Sequence, residues 1–186
     1  MMKKLSILGG VAGTLLCSAQ TFAITGTDSV SATFTSTIEV GTCTAQIQNS
    51  TGQSVTELPF GDVFKSDLAK QSRTVPFKIA FTGCSGVKSA QLKATAGTGG
   101  GCSGGTMQGD SFAGGNSTGF EVWKGAAETG TLMSCQSSAS AQIVTISGSS
   151  LSVDLTSRIV LATGKTISQV TAGAASAPVT FVVTYQ

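Results

Sequence analysis

Residues 179–186 read Val179-Thr180-Phe181-Val182-Val183-Thr184-Tyr185-Gln186 (VTFVVTYQ), and this stretch decides the fold. Val179, Phe181, Val183 and Tyr185 share one parity, while Thr180, Val182, Thr184 and Gln186 share the other. Alternation of β-branched and aromatic residues with period two predicts a strand with one buried face. Further back, Val75, Phe77, Ile79 and Phe81 alternate with Pro76, Lys78 and Ala80. Proline cannot donate to a ladder, so that strand should lack a partner on one side near its start. Ala90/Leu92/Ala94, Phe120/Val122, Ile143 to Ile146, Leu151/Val153/Leu155 and Arg158 to Ala162 give further candidate strands. Phe34, Ile38 and Val40 predict a first strand ending near Cys43, and Leu58 to Phe64 predicts a short buried segment with a turn. Ala96 to Gly119 holds ten glycines and reads as a long loop region. Short β-branched runs between Gly/Ser clusters indicate an all-β sandwich or barrel.

The first residues read differently. Lys3 and Lys4 precede an apolar run, Leu5 to Leu16, and a short segment ending in small residues at Ala23. That pattern is a secretory signal peptide over residues 1–23. The apolar run of about 12 residues is short of the roughly 20 that a spanning helix needs. Bulky Leu16 before Cys17 argues against a lipoprotein. Cleavage after Ala23 fits best, with Ala19 as the competing position.

Without residues 1–23, the 11 Lys and Arg become 9, against 9 Asp and Glu. A nucleic-acid binder needs a basic surplus to neutralise phosphates, and none exists. Near-zero net charge favours self-association. Five cysteines become four: Cys43, Cys84, Cys102 and Cys135. An even count behind a signal peptide implies disulfides formed in an oxidising compartment. Of the three possible pairings, Cys43–Cys84 with Cys102–Cys135 is the expectation. A zinc site fits poorly, because the chain has no His and no C-x-x-C pair.

Motifs that look like chemistry lack their context. Gly115-Asn116-Ser117-Thr118-Gly119 matches G-x-S-x-G, but without His no base can take the serine proton. Gly99, Gly101 and Gly104 match G-x-G-x-x-G, but no helical pattern follows to meet a phosphate. Asp62/Asp67 and Glu121/Glu128 are the near carboxylate pairs a glycosidase would require, and read as solvated surface acids. Asn49-Ser50-Thr51 and Asn116-Ser117-Thr118 are glycosylation sequons. Trp123, the one tryptophan, reads as a core or rim residue before a sugar platform. The chain is expected to be no enzyme and to need no cofactor or metal.

Ahead of the first strand, residues 24–33 form a thin polar arm in which Ile24, Val30 and Ala32 share one parity, together with Gly26 and Asp28. With that arm in place, the chain resembles the pilins of the chaperone–usher pathway, especially type 1-like fimbrial subunits. FTSTIEVGTC (residues 34–43) resembles the family's first strand and first cysteine. TVPFKIAFTGC (74–84) resembles the strand ending at the second, and LPFGDV (58–63) the segment between them. Ala162-Thr163-Gly164 and TAGAASAPVTFVVTYQ (171–186) resemble its C-terminal motif. In that motif Tyr185 is the penultimate aromatic and Gly173 the glycine fourteenth from the end. Cys102 and Cys135 depart from the pattern, since many such pilins carry one disulfide.

The resemblance implies an immunoglobulin-like sandwich lacking its final strand, completed by a donor strand from another chain. Residues 34–186 would be the pilin domain. Gly173, Val179, Phe181, Val183 and Tyr185 would line the acceptor groove, and Ile24, Val30 and Ala32 would be donor residues. The implied partners are a periplasmic chaperone, an outer-membrane usher and neighbouring pilins, on a route through the periplasm to a surface fimbrium. The implied role is a structural subunit, major or minor, that supports adhesion. The alternative is an adhesin or carbohydrate-binding subunit with a host glycan receptor. The 163 residues after Ala23 leave room for one domain and no separate lectin domain.

Overall fold

The computed structural model describes residues 31–104 and 109–186. The signal-peptide assignment and the donor candidates Ile24 and Val30 lie outside these residues. The chain divides into two units, Met1–Thr37 and Ile38–Gln186. In the first, residues 31–37 are exposed and carry no regular structure.

The second unit is a two-sheet β structure. Its strands are β1 (Thr42–Asn49), β2 (Thr74–Ser85), β3 (Ser89–Ala96), β4 (Phe112–Gly115), β5 (Thr118–Lys124), β6 (Thr131–Leu132), β7 (Gln142–Thr145), β8 (Ser150–Leu161) and β9 (Val179–Tyr185). The larger sheet runs β1-β2-β8-β5-β4, with β6 also on β5. The smaller runs β7-β3-β9. Every pairing is antiparallel. One buried cluster joins both sheets: Phe77, Ile79 and Phe81 of β2, Val153 and Leu155 of β8, and Val122 of β5 meet Ala90, Leu92 and Ala94 of β3. Alternating apolar residues on two facing sheets are what a β-sandwich requires.

The first strand differs from the sequence reading. Phe34 to Gly41 forms no strand, and β1 starts at Thr42, so Cys43 opens the strand instead of closing it. Phe34, Ile38 and Val40 are 95%, 96% and 95% exposed. Their alternation is that of an extended segment, but Ile38 and Val40 belong to no strand of either sheet. The true β1, TCTAQIQN, alternates Cys43, Ala45 and Ile47 with Thr44, Gln46 and Gln48, and only Ile47 among them is bulky. Pro76 stands opposite Thr156 of β8, while the β1 ladder stops at Asn49↔Phe77. One side of β2 therefore has no partner at the proline, as its missing N–H demands. Two expected strands, Leu151–Leu155 and Arg158–Ala162, are one continuous β8.

The smaller sheet covers only part of the larger one. Beyond it, Phe120 and Ile159 are buried by other means, against Leu68 and Val170. Leu68 comes from helix α1 (Lys65–Lys70), which is started by Asp67, whose carboxylate accepts the Phe64 N–H at 3.0 Å. Val170 follows a single 3-10 turn at Ile167–Gln169. Two disulfides join Cys43 to Cys84 and Cys102 to Cys135.

Candidate strand-accepting cleft

Among the described residues, β9 is bonded on one side only. Ser89 and Gln186 exchange both backbone hydrogen bonds, at 3.1 and 2.8 Å, and Gly97 N–H donates to Pro178 C=O at 2.8 Å. Bonded pairs alternate along an antiparallel ladder. With the register Gln91↔Thr184, Lys93↔Val182 and Thr95↔Thr180, these residues of β9 turn their backbone groups to β3. Val179, Phe181, Val183 and Tyr185 then turn theirs outward, along the free edge of the sheet. An open edge of this kind is a template for another strand.

The same four residues point their side chains inward and pack on the core, yet all remain half-buried. Their neighbours on β3 are sealed: Ala90, Leu92 and Ala94 are 0%, 0% and 1% exposed. The sandwich is thus closed at β3 and open at β9. Phe181 leans on Phe77 with ring centroids 5.9 Å apart, and Tyr185 meets Phe81 edge-on at 6.4 Å. Tyr185 Oη donates to the Cys43 carbonyl at 2.9 Å, tying the end of β9 to the start of β1. Burial pushes the Tyr185 hydroxyl up from its ordinary pKa, so it stays a donor.

Beside β9 lies a cleft of about 1400 Å³. Its floor is Phe77, Val122 and Ser157, continuing to Phe120 and Ile159, so it crosses the gap between the two buried clusters. One wall is Ile47 with Leu58 and Phe60; the other is the run from Val170 to Phe181. Leu58 and Phe60 belong to the segment read from sequence as short and buried, here a cleft wall. Arg73 holds that wall by donating Nη2 to the carbonyls of Phe60 at 3.0 Å and Asp62 at 2.8 Å, while the Phe60 ring meets Phe120 edge-on at 5.1 Å.

Asn116 holds the other wall. It sits in the β4–β5 hairpin turn with Ser117, at φ 51° and 63°. Two consecutive positive φ values are the signature of a tight type I′ hairpin turn. Its Nδ2 donates to Ala174 C=O at 2.7 Å, and its Oδ1 accepts from Thr171 Oγ1 at 3.2 Å. Gly173 lies between, at φ 149°, and a Cβ there would come within 3.0 Å of Asn116 Nδ2. Nothing in the sequence alone announces Asn116 as a wall residue, because its partners are more than fifty positions away.

The remaining candidates fall elsewhere. Ala32 is exposed. Cys102 and Cys135 do not line the cleft; Cys102 bridges to Phe112 and anchors the glycine-rich loop. The Gly115–Gly119 motif is the hairpin turn just described, and the chain holds no His to serve Ser117 as a base. Asn49, the other sequon asparagine, accepts from the backbone of Thr51 and Gln53 and closes its own turn. On the opposite face of the larger sheet, Arg158 is buried against Glu121 at 2.8 Å and Glu128 at 2.7 Å, 5.6 Å from the Trp123 ring. Burial alone would lower the Arg158 pKa, but its hydrogen bonds to Glu128 and Glu121 outweigh that and raise it. Glu121 and Glu128 therefore serve one guanidinium. Among the described residues no cluster of three or more His, Cys, Asp or Glu could hold a metal.

The fimbrial protein family model matches residues 30–186. The chain belongs to the fimbrial protein family. The chain is 34% identical, over its whole length and that of its relative, to the uncharacterised fimbrial-like protein YadL of Escherichia coli K12. Among solved structures, a chaperone–usher pilus studied for the uncoiling of its rod aligns with TM-score 0.54 at 23% identity, covering 86% of this chain and 96% of that one. The P pilus rod subunit PapA aligns with TM-score 0.51 at 21% identity, covering 77% and 99%. The fold of this fimbrial protein is thus the immunoglobulin-like sandwich of chaperone–usher pilins.

Proposed function

We propose that this fimbrial protein is a structural subunit that polymerises by accepting a strand from one neighbour into its cleft and giving its own N-terminal arm to another. The observation that carries this reading is the edge of β9. There the backbone groups of Val179, Phe181, Val183 and Tyr185 face outward over half-buried side chains; Val179 and Phe181 line the open cleft of about 1400 Å³, and Val183 and Tyr185 continue the edge beyond it. Strand addition would satisfy the backbone groups and cover the apolar floor in one step.

The strand to be given runs further than the sequence reading places it. The arm of residues 24–33 extends through Gly41, because β1 starts only at Thr42. Ala32, Phe34, Ile38 and Val40 keep one parity, as a strand presenting one face to a groove must. Exposed Phe, Ile and Val side chains are each worth about 1.5–3 kcal/mol on burial. That gives the arm a strong reason to seek another chain's cleft.

Partners follow from this chemistry. A subunit with an open β9 edge needs a protein that lends a strand before assembly, the role of a periplasmic chaperone, and an outer-membrane usher where strands are exchanged. Its destination is a surface fimbrium, where it supports adhesion. Deleting residues 24–41 tests the reading: the shortened chain should receive a strand but not give one, and should terminate multimers when mixed with the full chain. Unchanged multimer length on size-exclusion chromatography would contradict it.

A further inference from the structure

The smaller sheet has two outer edges, β9 and β7, and they are not alike. Along β3, Ser89, Gln91, Lys93 and Thr95 turn their backbone groups to β9. Ala90 and Leu92 must then serve β7, through Val144 and Gln142. The Ile146 N–H donating to Lys88 C=O at 2.9 Å continues that alternation. Ile143 and Thr145 are left with their backbone groups facing outward. Ile143 also exposes 64% of its surface, which makes this edge apolar and sticky.

That edge is occupied. Lys124, at the end of β5 in the other sheet, donates Nζ to the Ile143 carbonyl at 3.2 Å. Lys93 donates Nζ to the Ser137 carbonyl at 2.8 Å, in the loop leading to β7. The strand is only four residues long, with two outward-facing residues against four on β9. Shortness and lysine are two physical means of blunting a sheet edge. On β9, by contrast, no side-chain hydrogen bond from the described residues reaches the outward carbonyls of Val179, Phe181, Val183 or Tyr185.

We propose that Lys124 is a specificity-determining residue that closes the β7 edge, so that the smaller sheet accepts an added strand at β9 alone. This rests on the reading of β9 as the strand acceptor and deepens it. A fibre-forming chain with two competent edges on one sheet would branch or aggregate laterally. An ammonium fixed on the Ile143 carbonyl takes the acceptor an incoming strand needs, and places a charge that such a strand would have to desolvate.

The test compares the full chain with K124M and K124R, each mixed with a synthetic peptide of residues 24–41. Sedimentation velocity reads self-association, and native mass spectrometry reads the number of peptides bound. Circular dichroism and thermal melting establish that the variants fold. The expected result is one peptide per chain for wild type and K124R, and up to two for K124M. K124M should self-associate about tenfold more tightly than wild type or K124R, the factor that goes with losing one charge-assisted hydrogen bond. K124M that folds, binds one peptide and self-associates no more than wild type overturns the proposal. The two failures are separable. If the peptide does not bind wild type, the β9 reading fails, while sedimentation without peptide still reports on Lys124.

Discussion

The Tyr185 hydroxyl lies 2.9 Å from the Cys43 carbonyl and links the end of the last strand to the start of the first. The disulfide to Cys84 fixes Cys43, so this one bond sets where the end of β9 stands relative to β1. Tyr185→Phe should cost about 1 kcal/mol in the strand-complemented protein, the net worth of one hydrogen bond. The same hydroxyl predicts a pH dependence. Burial raises its folded pKa above the unfolded value of about 10. The folded state therefore binds more protons than the unfolded state above that pH, and stability falls as pH rises through the folded pKa. Melting temperatures of wild type and Tyr185→Phe should keep a constant gap below about pH 10 and converge above it. Parallel curves throughout would contradict this.

Gly173 and Asn116 form the second constraint on the cleft. A side chain at 173 must adopt φ 149° and displace the Asn116 amide. Gly173→Val should destabilise the complemented protein by about 1–3 kcal/mol through backbone strain. Asn116→Gly removes both hydrogen bonds, tolerates φ 51°, and should raise the exchange rate of the backbone amides in residues 171–176. Unaltered exchange there would show that Asn116 does not hold the wall.

The second disulfide stabilises without shaping the cleft. Cys102 and Cys135 are 33 residues apart and absent from its lining. Replacing both by Ser should cost about 2–4 kcal/mol through the unfolded state. Binding of the arm peptide should be unchanged within twofold. A tenfold loss of peptide affinity would place this disulfide in the acceptor mechanism.

Arg158 is the buried charge of the opposite sheet face. Arg158→Ala leaves Glu121 without its cation, bonded to Trp123 Nε1 alone, and should cost about 3–5 kcal/mol. Arg158→Met nearly keeps the volume and should cost less. Glu128 is largely exposed, and Glu128→Gln should cost about 1 kcal/mol or less. Chemical denaturation of the three variants checks the order; an Arg158→Met loss as large as that of Arg158→Ala would mean that charge pairing alone, and not volume, governs the site.

Strands with bulky residues on one parity are legible in the sequence: β9 through Phe181 and Tyr185, β2 through Phe77, Ile79 and Phe81. β1 is not, because Cys43 and Ala45 carry too little apolar bulk to compete with Phe34, Ile38 and Val40 just upstream. Those three residues alternate correctly, but alternation cannot say which chain supplies the pairing partner. β8 reads as two strands because Thr156 and Ser157 interrupt its apolar run; in the fold Ser157 lies buried on the cleft floor, its hydroxyl donating to the Glu121 carbonyl. The outer wall of the cleft is legible at Gly173 only through the family resemblance. Asn116 is not, since its role depends on contacts between distant segments. Helix α1 buries only Leu68, and so small an apolar stripe gives no periodic signal.

The central claim is that β9 receives a strand along its outer edge, and amide hydrogen exchange tests it most directly. The full chain is followed residue by residue with and without a peptide of residues 24–41. The account predicts that the amides of Val179, Phe181, Val183 and Tyr185 gain strong protection from the peptide, while those of Thr180, Val182 and Thr184, already bonded to β3, change little. Uniform protection along β9, or none at its four outward amides, would contradict it.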